Sequence, residues 1–203
     1  MTVDLGIQGL SIEPGSHLCA FYSGDTERKE ILVPFLEQAM RAKDRCICLI
    51  ERAAVETVLK TLETKTSIKP DEDWLDVQTS EETYLVDGHF DREGMLAFWV
   101  RTYETAKARG WSFVRVISDA SCIIRSLPEV NEFMVYESKY NQIARRYPQV
   151  TVCIYDLNVF GPKLLIEILR THPRVLVGGV VHENPDYMAP EEFLANRDDV
   201  PGS

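Results

Sequence analysis

The stretch VTVCIYDL, residues 150–157, decides the fold of this chain. It is apolar along nearly its whole length, whereas a strand with one face in water alternates between apolar and polar residues. A strand of this kind is buried on both faces, which is typical of a parallel sheet covered by helices on either side. We therefore expect the rest of the chain to alternate between strands and helices.

That alternation extends in both directions from the central stretch. Further apolar runs that predict strands lie at residues 17–22, 45–50, 111–118 and 175–181, with weaker ones at 74–79 and 84–86. The segments between them carry apolar residues at three-to-four spacing, as in the predicted helix that contains Ile31, Phe35 and Leu36. Repeated strand–helix units favour parallel βαβ connections. The predicted fold class is α/β, a three-layer sandwich with a central, mostly parallel sheet.

Local signals mark the ends of several predicted elements. Asp91 is placed to cap a helix that ends at Gly110. Pro128 suits the first turn of a helix that continues to Tyr147. Residues 65–73 are polar and form a predicted loop.

Length and composition indicate a single domain over residues 1–203, with a core at about 15–194 and short flexible termini. No apolar run reaches the roughly 18 residues of a membrane span, and the N-terminus lacks a secretory-signal pattern. The formal net charge is −10, and no basic stripe is present to neutralise nucleic-acid phosphates. The five cysteines lie in or beside apolar runs, and their odd number does not suit a disulfide framework. We therefore expect reduced thiols and a cytoplasmic location, without membrane or direct nucleic-acid partners.

Polar residues follow most of the predicted strands. In open α/β sheets, ligands bind beyond the carboxyl ends of the strands, so these residues are candidate ligand contacts. In chain order they are Tyr22, Ser23, Asp25, Glu51, Asp119, Tyr155, Asp156, His182, Glu183 and Asn184. The carboxylates on this rim disfavour a polyphosphate ligand unless a cation accompanies it. The alternative is that they cap the following helices or stay solvated.

The end of the last predicted strand has an unusual composition. Gly178 and Gly179 lie inside that strand, where the lack of side chains lets a ligand or another backbone approach closely. Pro185 keeps Asn184 out of helical geometry, which places its amide near the strand ends. The alternative is a bulge followed by a tight turn with no ligand.

The loop after the first strand lacks the phosphate-binding pattern G-x-x-x-x-G-K-[ST]. Counted from Gly24, the three diagnostic positions hold Lys29, Glu30 and Ile31. Asp119 at the end of an apolar run resembles the acid of a Walker B segment, although any buried strand can end in an acid. No G-x-S-x-G nucleophile motif is present. The chain is therefore predicted not to be an enzyme, with residual nucleotide hydrolysis left open.

A metal site is the next alternative. His17 and Cys19 share one face of a strand, and so do Cys46 and Cys48, because side chains alternate with period two. With His172 and His182 they would supply imidazole and thiolate ligands for zinc. No C-x-x-C or H-x-x-x-H pair is present, so buried thiols and packed histidines are the preferred interpretation, with no metal or cofactor expected.

Two segments resemble the MEDS domain, a methanogen/methylotroph sensory domain. The opening HLCAFY at residues 17–22, followed by VPFL at 33–36, is similar to the start of that domain. The closing landmarks are Tyr155-Asp156, His172-Pro173-Arg174, Gly178-Gly179, Asn184-Pro185 and Tyr187. Together they span about residues 15–194.

The resemblance implies a prokaryotic signalling domain, proposed to sense simple hydrocarbon derivatives, with a degenerate RecA-like fold whose phosphate loop is lost. It carries over His17, Cys19, Tyr22, Tyr155, Asp156, His172, Asn184 and Tyr187 as candidate ligand contacts. Because MEDS domains often stand beside histidine kinases or DNA-binding modules, and this chain has no room for one, output is expected through a separate signalling partner.

Three hypotheses follow. The first is a stand-alone sensor that binds a small organic ligand at the carboxyl ends of the strands and signals through a kinase or transcription regulator, as a monomer or a homo-oligomer. The second is a degenerate RecA-like nucleotide-binding domain, motivated by Asp119 and Lys29. The third is an interaction scaffold without a ligand.

Overall fold

A seven-stranded sheet forms the centre of the molecule. The structure is a computed structural model and describes residues 2–66, 73–126 and 130–198. The strands are β1 (Val3–Asp4), β2 (Ser11–Ile12), β3 (Ser16–Tyr22), β4 (Arg45–Ile50), β5 (Leu75–Thr79), β6 (Leu85–Val86), β7 (His89–Phe90), β8 (Val114–Asp119), β9 (Gln149–Asp156), β10 (Arg174–Val177) and β11 (Val180–Glu183). The helices are α1 (Gly24–Ala42), α2 (Arg52–Thr66), α3 (Ser80–Tyr84), α4 (Arg92–Ala108), α5 (Ser121–Ser126), α6 (Val130–Ala144), α7 (Pro162–Thr171) and α8 (Pro190–Asp198).

The strand order in the central sheet is β11-β10-β3-β9-β8-β4-β5. Every neighbouring pair is parallel except β10 with β11. The short pairs β1–β2 and β6–β7 form two small antiparallel sheets of their own. The predicted α/β class with a mostly parallel sheet is confirmed.

The decisive stretch of sequence is strand β9, which is buried on both faces. Val152 and Ile154 pack in a core with residues of α1 and α2. Cys153 and Tyr155 point to the other face, into a core with residues of α4, α6 and α7. The three layers of the sandwich follow from this alternation, because each face of the sheet needs its own cover of helices.

Aromatic side chains attach α4 to α6 and α6 to the sheet. Trp99 Nε1 donates a hydrogen bond to the Tyr136 hydroxyl at 2.6 Å. The hydroxyls of Tyr103 and Tyr140 are hydrogen-bonded to each other, and that of Tyr140 lies 2.7 Å from Thr151 Oγ1 on β9. Because each hydroxyl finds a partner, these large side chains are buried without leaving polar groups unpaired. They hold α6 in a defined position over β9.

Several local predictions can be compared with the structure. Asp91 caps α4, and its side chain accepts a hydrogen bond from Gly94 N at 3.0 Å. Gly110 follows the end of α4 with a φ of +87°, a conformation that glycine adopts without strain. The long helix predicted from Pro128 to Tyr147 is α6, which ends at Ala144, and Pro128 itself lies outside the described residues. Residues 67–72 of the predicted loop also lie outside them.

The prediction of one last strand at residues 175–181 is wrong, because the chain reverses there. Strands β10 and β11 pair antiparallel, and Gly178 and Gly179 form the two-residue turn between them. Their φ values are +57° and +76°, and two positive φ values in succession are the requirement of a type I′ hairpin turn. The glycines therefore serve the turn. Strand β11 runs toward the amino ends of the parallel strands.

The N-terminal segment is part of the core, contrary to the expectation of a flexible terminus before residue 15. Leu5, Ile7 and Ile12 are buried against the side of the sheet that α1 covers. Their irregular spacing fits neither a helix nor a strand, because turns separate them, so periodicity does not reveal their burial. At the other end of the chain, residues 199–203 lie outside the described part. Among the described residues, no helix has the length and hydrophobicity of a membrane span.

Candidate functional site

Six of the sequence-predicted site residues lie at the carboxyl ends of neighbouring strands. They are Tyr22, Ser23 and Asp25 after β3, Glu51 after β4, Asp119 at the end of β8 and Asp156 at the end of β9. Arg28 of α1, which the sequence patterns do not single out, connects four of them. We call Arg28, Tyr22, Asp25, Glu51 and Asp119 the Arg28 network.

Arg28 pairs with every carboxylate of the network and offsets part of their negative charge. The guanidinium donates to Glu51 at 2.7 Å and to Asp25 at 2.6 Å, and it lies 3.5 Å from Asp119 Oδ2. The Tyr22 hydroxyl donates to the same Asp119 oxygen at 2.8 Å. Burial raises the pKa of Asp119, while these hydrogen bonds and the nearby guanidinium limit the rise. A ligand at this edge would have to displace Arg28 from three carboxylates.

The start of α1 is a poor phosphate site. The Ser23 N–H, which a phosphate would need, donates to Glu27 Oε2 at 2.7 Å. Asp25 and Glu27 add two negative charges to the first turn of α1. The Ser23 hydroxyl accepts from Asn158 Nδ2, which also bonds Asp156 Oδ1. Carboxylates already cover the positive end of the helix dipole that would attract a phosphate.

A second group of polar side chains lies inside the molecule, between the sheet and the α6–α7 layer. It consists of His17 from β3, Cys153 from β9, Glu137 from α6 and His172 directly after α7. We call these four residues the His–Glu–Cys centre. His17 Nε2 lies 3.2 Å from Glu137 Oε2 and 3.3 Å from Cys153 Sγ. His172 Nε2 lies 3.3 Å from the same glutamate oxygen, and Cys153 Sγ lies 3.8 Å from it.

Hydrogen bonds on the outer side of both imidazoles determine which ring nitrogen faces the centre. Asn141 Nδ2 donates to the carbonyls of Glu137, Ser138 and Thr171, so its Oδ1 is the acceptor for His17 Nδ1 at 3.1 Å. His172 Nδ1 lies 2.8 Å from the carbonyl of Ile168 and must donate to it. In neutral imidazoles with protonated Nδ1, Nε2 carries a lone pair. Both lone pairs point at the Glu137 carboxylate.

The electrostatics of the centre are those of a buried anion. Glu137 is 1% exposed, and its ion-pair partners within the described residues are the two histidines. Burial favours the protonated form of Glu137, whereas a proton on the Nε2 atom of His17 or His172 favours the carboxylate, so the pKa of Glu137 is lowered only while an imidazole presents such a proton to it. Burial, reinforced by His172, lowers the pKa of His17 below its usual value.

Other landmark residues surround this centre. Tyr155 is fully buried with its ring 5.7 Å from that of His172, and its hydroxyl has no hydrogen-bond partner within the described residues. Asn184 Nδ2 donates to the carbonyls of Leu169 and His172 at 2.6 and 2.8 Å, which holds His172 in place. Cys19 is the register partner of Cys153, but its Sγ points to the carbonyl of Arg174 at 3.7 Å.

A cavity of about 250 Å³ opens beside the centre at the amino ends of β3 and β10. His17, Asn141 and Arg174 line it, together with residues of the turn before β3. His17 is therefore the member of the centre that lines this cavity.

The remaining predicted site residues do not join either group. His182 and Glu183 are exposed on β11, and Glu183 forms an ion pair with Arg174. Because β11 is antiparallel, both lie at the amino edge of the sheet, so their predicted place at the carboxyl edge is wrong. The Tyr187 hydroxyl accepts from Arg145 at 3.4 Å near this edge. Cys46 and Cys48 face the α1–α2 core, on the side of the sheet away from the centre.

Comparison with known proteins places this architecture in a family. The sequence model of the methanogen/methylotroph, DcmR sensory domain, abbreviated MEDS, matches residues 16–173.

The chain belongs to the MEDS family.

A curated relative of this MEDS domain is the transcriptional repressor DcmR of Methylorubrum extorquens, which is 24% identical over 174 residues. The match covers 82% of this chain and 61% of the repressor. Membership in the family indicates a sensory role in signalling. Several landmarks of the MEDS resemblance, namely His17, Cys19, Tyr155, His172 and Asn184, lie in or around the His–Glu–Cys centre.

Sequence patterns alone do not identify three residues on which the two groups of this MEDS domain depend. Glu137 and Asn141 lie in a helix recognised by its apolar period, and Arg28 lies in another. Glu137 and Asn141 are four residues apart on the buried face of α6, between Phe133 and Ala144. Polar residues at apolar positions of a helical stripe are the signal that would have found them, because buried polar groups need partners.

Proposed function

We propose that this MEDS domain is a cytoplasmic, non-enzymatic sensor that binds a small ligand at the His–Glu–Cys centre and passes the change to a regulatory partner. One observation carries the proposal. Within the described residues, Glu137 Oε1, His172 Nε2 and Tyr155 OH are buried without hydrogen-bond partners. Native interiors rarely leave polar atoms unpaired, and these three lie around a centre whose His17 lines a cavity, which supports a binding site there.

The position of the centre also provides a route for the signal. Glu137 lies on α6, and His172 directly follows α7, so a bound ligand contacts two helices at once. Helix α8 packs across both of them through buried Phe193 and the hydrogen bonds of Arg197 to the Asn131 carbonyl and to Glu167. A ligand that draws Glu137 and His172 together would change the surface that α6, α7 and α8 present to a partner. The relative that acts as a repressor supports a regulator as that partner.

The carboxyl edge of the sheet, where the sequence predicts the ligand, is less suited to this function. The Arg28 network is internally satisfied, and the amide at the start of α1 is already bonded to Glu27. A nucleotide would bring phosphates toward Asp25, Glu27 and Asp156, which repel them. The proposal therefore favours the interior over the edge and a small molecule over ATP.

A thermal-shift screen tests the proposal with small alcohols, amines and halocarbons, and with ATP plus magnesium. A ligand that binds only the folded state adds about 2.7 kcal/mol at a hundredfold excess over its dissociation constant. We expect stabilisation by a small organic molecule, lost in His172→Gln and reduced in Tyr155→Phe. His182→Gln is the matched control, because His182 is exposed on β11 and is not a member of the centre.

Two results would count against the proposal. Stabilisation by ATP alone, abolished in Asp119→Asn, would favour the nucleotide-binding hypothesis. No shift with any compound would favour a scaffold that acts through protein contacts.

A further inference from the structure

We propose that the His–Glu–Cys centre binds one divalent transition-metal ion, zinc by its donor set, through His17 Nε2, His172 Nε2, Cys153 Sγ and the Glu137 carboxylate. The inference rests on the proposed function in one respect, since it names the ion that would hold together the residues of the sensor's binding centre. Two imidazoles, a thiolate and a carboxylate are the ligand types that zinc takes in proteins.

Four of the six separations between donor atoms are close to the edges of a tetrahedral site. Zinc–nitrogen and zinc–oxygen bonds of about 2.0–2.1 Å and a zinc–sulfur bond of about 2.3 Å give edges of about 3.3 Å between nitrogen and oxygen, and about 3.5 Å to sulfur. The two nitrogen–oxygen separations are 3.2 and 3.3 Å. The measured separations to sulfur are 3.3 Å from His17 Nε2 and 3.8 Å from Glu137 Oε2. All donor atoms lie within 4.8 Å of one another.

Both histidines are oriented in the way that metal ligands are. A ligating histidine donates its other ring N–H to a carbonyl, amide or carboxylate, which directs the bare nitrogen at the metal. His17 donates to Asn141 Oδ1, and His172 donates to the carbonyl of Ile168. Asn184 in turn bonds the carbonyl of His172. The outer hydrogen bonds are therefore in place on both imidazoles.

The charge of the centre and the hydrogen bonds that it lacks also favour a bound cation. The centre gathers two nitrogen lone pairs, a carboxylate and a thiol in a region less than 4% exposed to water, and the Cys153 thiol donates its one proton toward Glu137 Oε2. A single proton can form a hydrogen bond between only two of these atoms, which leaves the remaining acceptors facing one another without a donor. Within the described residues, no lysine or arginine forms an ion pair with Glu137. A divalent cation satisfies every acceptor at once and balances the carboxylate and the thiolate that forms when Cys153 releases its proton.

A buried metal site needs an entry path, and we infer that the ion enters from the cavity that His17 lines. Glu13 and Glu183 lie at this edge and attract cations, while Arg145 and Arg174 oppose them. Each of these side chains is at the surface, so none blocks the centre itself.

The test measures zinc content and cobalt spectra of tag-free, full-length protein. We expect close to one equivalent of zinc after dialysis. Cobalt should produce visible bands of tetrahedral intensity and a thiolate-to-cobalt charge-transfer band in the near ultraviolet. Cys153→Ser should remove the charge-transfer band, and His172→Gln should abolish retention of metal. The matched control is Cys19→Ser, a thiol with equal burial on the paired residue of β3, which should keep both signals.

Two outcomes would overturn the metal site. One is folded wild-type protein that binds neither zinc nor cobalt, and the other is metal retained in both Cys153→Ser and His172→Gln. The organic-ligand screen, run on zinc-loaded and chelator-treated protein, separates this inference from the proposed function. If an organic ligand stabilises the protein but no metal binds, the proposed sensor stands and the metal site is refuted. If metal binds but no organic ligand stabilises the protein, the metal site stands and the proposed sensor is refuted.

Asn141 is the positioning residue of the proposed site, because it orients His17 without contacting the metal. Loss of a hydrogen bond of this kind typically weakens metal binding by about 10–100-fold. We expect that loss for cobalt in Asn141→Leu, measured by spectroscopic titration, with the melting temperature of the metal-free protein recorded in parallel. Asn131→Leu, exposed on the same helix, is the control. Unchanged cobalt affinity in folded Asn141→Leu would show that His17 is not oriented for a metal.

Discussion

Replacing Trp99 with alanine is expected to lower the free energy of unfolding by about 3–5 kcal/mol. Trp99 is 1% exposed and packs between Tyr103, Tyr136 and Tyr140 at the contact of α4 with α6. Its removal leaves a large cavity and deprives the Tyr136 hydroxyl of its hydrogen-bond donor. The surrounding rings belong to rigid helices and can fill little of that space.

Urea denaturation in the presence of a chelator measures this effect without a contribution from bound metal. Phe98→Ala is the matched control, because Phe98 precedes Trp99 on α4 but is only partly buried. Trp99→Phe separates the hydrogen bond from the packing and is expected to cost less than Trp99→Ala. If Trp99→Ala and Phe98→Ala lowered the free energy of unfolding by equal amounts, packing of α4 against α6 would not be what stabilises the position of α6.

Replacing Arg115 with methionine is expected to cost about 3–5 kcal/mol, because it leaves a buried carboxylate without its partner. Arg115 Nε donates to Asp44 Oδ2 at 2.7 Å, and its Nη1 donates to the carbonyl of Asp4 at 2.7 Å. The side chains of Arg115 and Asp44 are only 2% and 11% exposed. The guanidinium also lies 5.9 Å from the centre of the Phe35 ring. One side chain therefore joins β8, α1 and the N-terminal segment.

The charge of Asp44 gives this prediction a pH signature. Burial raises the pKa of Asp44, and Arg115 limits that rise. Without Arg115 the folded state binds a proton more readily than the unfolded state, so the stability deficit should shrink as pH falls through the raised pKa. The double variant Arg115→Met, Asp44→Asn should recover much of the loss at neutral pH. A deficit that is independent of pH and unrelieved by Asp44→Asn would contradict the buried ion pair as its cause.

Strands and helices with strong periodicity are predictable from this sequence because their pattern is local. The apolar run of β9 indicates burial on both faces, and the structure places helices on each side of it. The hairpin of β10 and β11 is missed because its two strands are apolar and only two glycines separate them. Strand pairing is a non-local choice, and a continuous apolar run fits one long strand as well as two short ones.

For the candidate site, too, one part was predictable from the sequence and another part was not. The sequence by itself determined the α/β class and the parallel sheet, because periodicity and residue type are written along the chain. The MEDS resemblance added His17, Cys19, Tyr155 and His172 as candidate ligand contacts. The sequence did not determine which of them meet. Only the tertiary structure brought Glu137 of α6 and Cys153 of β9 between His17 and His172. The two histidines are 155 residues apart in the sequence, one on β3 and the other directly after α7. Convergence depends on strand order and helix packing, and these are set by the burial of whole faces rather than by any single motif.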